Sequence, residues 1–134
     1  AELCLHGRNV AAEPCPALRE QDMGALEDLT WAQAEKLCGA LVGRLLSDWF
    51  HTTPPAGESP AHMLERVGRC VDGLIARGED TLVVGHNGSL SLLLYHLGLV
   101  KEEELLQSGW FFRHGTYSAV RADETGAELV CFNR

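Results

Sequence analysis

Thr81-Leu-Val-Val-Gly85-His86-Asn87-Gly88-Ser89-Leu90 is the stretch from which the fold is read. Thr81 to Val84 is a β-branched and leucine run, the pattern of a strand buried on both faces. A glycine-containing turn follows, and Leu90 to Leu97 is apolar and helical, ending at Gly98. Strand, tight turn and helix in that order mark an open α/β sheet, where ligands bind beyond the carboxyl ends of strands. The amides that open such a helix have no intrahelical acceptor and carry the positive end of its dipole, so they suit an anion. His86 sits at this junction, and when protonated it is a charged donor for a phosphate oxygen. The stretch half-matches the G-x-S-x-G turn that presents a serine nucleophile, but Asn87 stands where the nucleophile belongs, and an amide cannot attack.

Outward from this stretch, the pattern stays helical on both sides. Ser59 is a good N-cap with Pro60 at the first helical position. Met63, Val67, Cys70, Val71, Leu74 and Ile75 then mark one buried face, and Gly78 ends the helix. Further upstream, Thr30 caps a helix predicted from Trp31 to about Asp48, with Ala34, Leu37, Cys38, Leu41, Leu45 and Trp49 on its apolar face. Pro14 and Pro16 make the preceding segment irregular, and His51 to Glu58 is a loop. Ala1 to Gly7 reads as the tail of a helix, and Arg8 to Ala12 as a short strand. Downstream, Lys101 to Leu106 is a short acidic helix. Trp110 to Phe112, Tyr117 to Val120 and Leu129 to Phe132 are strand-like, with a turn over Asp123 to Gly126. Alternating helix and strand predict an α/β fold, helix/sheet/helix in three layers around a mostly parallel central sheet.

The bulk numbers narrow the class. A chain of 134 residues with 46% apolar and 22% charged residues predicts one globular domain spanning 1–134. Its net charge of −8 argues against nucleic acid or an anionic membrane as partner. No apolar stretch reaches the ~20 residues of a membrane span. The five cysteines are odd in number and form no C-x-x-C pair, which points to reduced thiols in a cytoplasmic protein, several packed as small hydrophobes. His6, His51, His62 and His96 show no ligand spacing, so neither metal nor cofactor is expected.

Two further segments gain meaning only together with the first. Leu18-Arg-Glu20-Gln-Asp-Met-Gly24 is a polar loop in which Glu20 alone would be ordinary solvated surface. Pro55-Ala-Gly-Glu-Ser59, followed by Arg66-Val67, is a loop and a capped helix. In this order and spacing, with Thr30-Trp31 between them and Val83 to Gly88 after them, the three resemble the histidine phosphatase, or phosphoglycerate mutase-like, superfamily over Ala1 to about Val120.

The resemblance implies phosphoryl transfer, most simply hydrolysis of a small phosphate monoester through a phosphohistidine. His86 matches the family's second active-site histidine, which holds the transferring phosphoryl group. Glu20 matches the glutamate that protonates the leaving oxygen and later activates water, and the turn amides of Asn87 and Gly88 would face the phosphate. The family's nucleophilic histidine, in an R-H-G segment, and a second phosphate-clamping arginine both correspond to sequence ahead of Ala1. The 134 residues are therefore expected to be an N-terminally incomplete domain, inactive alone. Thr81 to Val84 then calls for a strand from upstream residues, a separate polypeptide or a second copy in a homodimer. Arg113-His114-Gly115 spells the missing motif, yet only 19 residues follow it, without the family's intervening helices, so His114 is read as a coincidental match. The alternative is a non-catalytic remnant of the fold that binds a phosphorylated ligand or a partner protein.

Overall fold

The computed structural model describes residues 5–7, 9–105 and 108–134. Its principal elements are α1 (Trp31–Ser47), α2 (Pro60–Arg77), α3 (Asn87–His96), β1 (Ala119–Asp123) and β2 (Gly126–Cys131). Short 3-10 turns at Pro16–Leu18, Gly24–Leu26, Glu102–Glu104 and Ser108–Trp110 link them.

The helix starts follow from local chemistry. Thr30 Oγ1 accepts from the Gln33 amide at 3.3 Å, and the Gln33 side chain accepts from the Thr30 amide at 2.8 Å, a reciprocal capping box. Ser59 Oγ accepts from the His62 amide at 3.2 Å, with Pro60 just inside the helix. Gly78 ends α2 at φ 63°, a conformation open to glycine at no steric cost. Helix α1 is kinked at Cys38 (φ −153°, ψ 53°), whose thiol bonds to the Ala34 carbonyl at 3.2 Å. A side chain thus occupies an acceptor of the i→i−4 ladder, a recognised cause of kinking. The kink also redirects the apolar face. Leu37, expected inside, is 72% exposed, while Val42 is buried.

Helices α2 and α3 pack closely. Met63, Val67, Val71, Leu92, Leu94, Val100 and Leu105 form the main core cluster, each contributing about 1.5–3 kcal/mol by burial. Gly68 makes the close approach possible: a Cβ there would strike the His96 ring, whose Nε2 lies 2.7 Å from Asp72 Oδ1. A second, smaller cluster joins Leu26 to Ala34, Leu41, Val42 and Leu45.

The antiparallel hairpin β1–β2 turns at Glu124–Thr125, pairs Val120 with Leu129, and lays Val120, Leu129 and Phe132 against the main core. It agrees with the expected turn and the last two strands. Among the described residues this two-stranded sheet is the only one. The mostly parallel central sheet expected from the sequence is not formed by them. Thr81 to Val84 carries no ladder pairing, and Leu82 and Val84 are 66% and 54% exposed rather than buried. A strand exists only through its neighbours, and among the described residues none pairs with its backbone groups. Trp110 to Phe112 also departs from the expected strand. It leaves a 3-10 turn and anchors by its rings, Trp110 and Phe112 lying 5.4 and 5.1 Å from Phe132. Residues 9–12 form no strand, the acidic helix shortens to the turn Glu102–Glu104, and Ala1–Cys4, Arg8 and Leu106 lie outside the described residues. Also among the described residues, no helix is long and apolar enough to cross a membrane.

Candidate active site

The site is built where three loops meet the N-terminus of α3. His86 is the residue before the helix, with φ −105° and ψ 166°, and it is exposed. Ser89, fully buried one turn on, fixes it twice: its hydroxyl accepts from the His86 amide at 3.2 Å and donates to the His86 carbonyl at 3.1 Å. The backbone of the turn is therefore held while the imidazole faces solvent at the positive end of the helix.

Glu20 arrives at the same place from far away in sequence. Its Oε2 accepts from the Gly88 amide at 3.0 Å, and its Oε1 accepts from the Gln21 amide at 2.9 Å. A Cβ on Gly88 would collide with this carboxylate, so glycine is what lets Glu20 reach the helix end. Asn87 uses its side chain for a structural tie, leaving its backbone amide at the first turn of α3. Its Oδ1 accepts from the Phe112 amide at 2.8 Å, tying the 111–113 segment to the site.

What holds Glu20 there is Arg66, one side chain gathering two loops. Its guanidinium donates to the carbonyls of Ala17 (2.7 Å), Arg19 (2.9 Å) and Glu20 (3.1 Å). It also forms a two-pronged pair with the Glu58 carboxylate, Nε to Oε2 at 3.0 Å and the second nitrogen to Oε1. Planar fork geometry is what arginine offers and lysine lacks. Glu58 Oε1 in turn accepts from the Asp22 amide at 3.2 Å, and the Glu58 amide donates to the Asp22 carbonyl at 2.9 Å. Burial pushes the Glu58 carboxyl up, but the Arg66 hydrogen bonds and charge and the Asp22 amide outweigh it, leaving it below its ordinary 4.5.

The two loops also touch backbone to backbone. The Ala25 amide donates to the Pro55 carbonyl at 2.8 Å, and side chains at Gly24 (φ 52°) or Gly57 would run into the opposite strand of chain. Sequence reading singled out Arg66, Glu58, Gly24 and Gly57 only as members of motifs. Their joint work was invisible because opposite charges eight positions apart, on a loop and a helix, give no sign that they pair.

The other histidines do not join this group. His51 pairs with Asp48 at 2.9 Å and His96 with Asp72 at 2.7 Å. His114 occupies an exposed turn, beside an Arg113 guanidinium that donates to the Asn133 carbonyl at 2.9 Å. Among the described residues, no three His, Cys, Asp or Glu side chains are grouped to hold a metal.

In chemical terms, an anion-seeking helix end carries an exposed histidine at its N-cap and a carboxylate already seated on one of its amides.

Comparison with known proteins places this arrangement. The histidine phosphatase superfamily (branch 1) model matches residues 1–134. The adenosylcobalamin/α-ribazole phosphatase of Salmonella typhimurium is 32% identical over 142 residues, covering 99% of this chain and 66% of that protein. The Escherichia coli protein of the same name is 30% identical with the same coverage. The chain thus spans 66% of the length of these curated relatives. Among solved structures, the α-ribazole phosphatase of Shigella flexneri superposes with a TM-score of 0.88 at 25% identity, over 99% of this chain and 66% of that one. Bacillus stearothermophilus YhfR shares the fold, with a TM-score of 0.84 at 17% identity, over 97% of this chain and 65% of that one. With a match along its whole length, a common fold and the motif residues His86 and Glu20 meeting at one helix end, this chain belongs to the histidine phosphatase superfamily.

Proposed function

We propose that the protein hydrolyses a small phosphate monoester through a phosphohistidine intermediate. The contact between Glu20 and the Gly88 amide carries this reading, because it seats a carboxyl at a helix end suited to phosphate. In the proposed reaction a histidine outside residues 1–134 attacks phosphorus in line. His86 and the amides of Asn87 and Gly88 neutralise the equatorial oxygens. The phosphate oxygens replace the Glu20 carboxylate on the Gly88 amide. Glu20 gives its proton to the departing ester oxygen and then takes one from the water that cleaves the phosphohistidine. The finer architecture belongs to the same proposal: Thr81 to Val84 joins a central, mostly parallel sheet beside the strand that brings the nucleophile. The relatives' names point to α-ribazole 5′-phosphate as the first ester to test.

The test is titration of the protein with phosphate and vanadate, followed by the same titration of His86→Ala. Binding weakened at least ~10-fold in the variant, the scale of one charge-assisted hydrogen bond, is expected. Binding indifferent to His86 would remove the site.

A further inference from the structure

Away from the phosphate site, two cysteines far apart in sequence meet. Cys15 Sγ lies 3.3 Å from Cys70 Sγ, though the two are 55 positions apart in the chain. Both are free thiols, Cys15 exposed and Cys70 half-buried. Cys15 immediately precedes the turn Pro16–Leu18, whose Ala17 carbonyl Arg66 grips, and Cys70 lies one helical turn beyond Arg66 on the same helix. The sulfur contact and the arginine fork are therefore two attachments of one segment, residues 15–20, to α2.

We propose that Cys15 and Cys70 are a reversible dithiol–disulfide site for a peroxide-class oxidant, and that oxidation fastens the Glu20 segment to α2. The sulfurs need close only from 3.3 Å to a bond length of about 2 Å. Exposure decides which thiol reacts first. Burial, then the Cys15 hydrogen bond, pushes the Cys70 thiol up to about 11, so it waits as the neutral resolving partner. The Cys15 sulfur attacks one peroxide oxygen, breaking the O–O bond and giving Cys15 sulfenic acid and water. The Cys70 sulfur then attacks Cys15 sulfur; the S–O bond breaks, and the hydroxide leaves with the Cys70 proton as a second water. In sum two thiols and one hydrogen peroxide give one disulfide and two waters. A thiol reductant reverses it. The Arg77 guanidinium, which draws Cys70 the other way and pairs with Glu13 at 3.8 Å, keeps positive charge near the sulfurs.

The experiment treats the protein as its gene encodes it with hydrogen peroxide, then digests it with trypsin without reductant. The expected product is peptide 9–19 joined to peptide 70–77 and lighter by two hydrogens, separated again by dithiothreitol. Amides of residues 17–21 should exchange at least ~5-fold more slowly in the oxidised protein, and Tm should rise by about 5 °C. Cys15→Ser should remove the cross-link and both effects. Cys15 over-oxidised to sulfinic acid without a cross-link, Cys70 joined to a different cysteine, or a cross-link that leaves exchange at 17–21 unchanged would each overturn the proposal.

Discussion

Glu20 Oε2 and the Gly88 amide, 68 positions apart in sequence, are joined by a hydrogen bond of 3.0 Å. An acceptor on one loop thus occupies the donor that the proposed reaction assigns to a phosphate oxygen. If Glu20 is the proposed acid, the acid and the anion site form one unit, and changes to either should be felt by both.

In the whole protein, with the proposed nucleophile present, Glu20→Gln should slow turnover of an unactivated phosphate ester by ~10²–10⁴-fold, the usual loss of acid–base help. With p-nitrophenyl phosphate, whose leaving group needs little protonation, the loss should be smaller. Steady-state kcat on both esters measures this, and equal losses would take Glu20 out of the role.

Gly88→Ala should act on Glu20 rather than on the helix. The new methyl would occupy the carboxylate's place, while alanine suits the first turn of α3. Turnover should fall about 10–100-fold through displacement of the acid, with Tm changed by only a few degrees. A Gly88→Ala enzyme of full activity would show that Glu20 need not sit on this amide.

Arg66→Lys keeps the charge and loses the fork. Its side chain and that of Glu58 are only 14% and 15% exposed, so the three loop carbonyls and the carboxylate would be left short of donors. We expect about 3 kcal/mol of lost stability, the scale of breaking a buried charge pair, read as a lower urea midpoint. The same variant should lower kcat, because the Glu20 backbone is one of the freed segments. A loss below about 1 kcal/mol would mean the clamp is dispensable.

Glu58 sets an acid limit. Its carboxyl lies below its ordinary 4.5 in the folded protein, so its contribution is fully present above that value. The contribution is lost as pH falls below 4.5 through the folded-state value. Urea unfolding from pH 7 to pH 3 should show this decline, and Glu58→Gln should start lower and flatten the acid limb. An equally steep acid limb in Glu58→Gln would assign the decline to other carboxyls.

Leu82 and Val84 offer a check on the sheet. They are 66% and 54% exposed, in a segment with no ladder pairing. If another strand pairs here in the whole protein, their amides should exchange at least ~100-fold more slowly than unprotected ones. Fast exchange at Leu82 and Val84 would deny this segment a place in a central sheet.

The sequence by itself determined what depends on near neighbours. Thr30 and Ser59 bond to amides three residues on, so the starts of α1 and α2 were legible, and Gly78 marked its own helix end. The turn before β2 and the Gly85 to Ser89 junction were legible for the same reason, and with them His86 at a helix N-terminus. Glu20 was legible only through the order of three motifs, since nothing in its own surroundings distinguishes it from solvated surface. Tertiary structure decided the rest. Seating Glu20 on Gly88, gathering two loops on Arg66, turning Leu37 outward past the Cys38 kink and bringing Cys15 against Cys70 all depend on contacts the chain makes only once folded. So does the fate of Thr81 to Val84, because a helix closes its hydrogen bonds within its own residues, whereas a strand must find them on another.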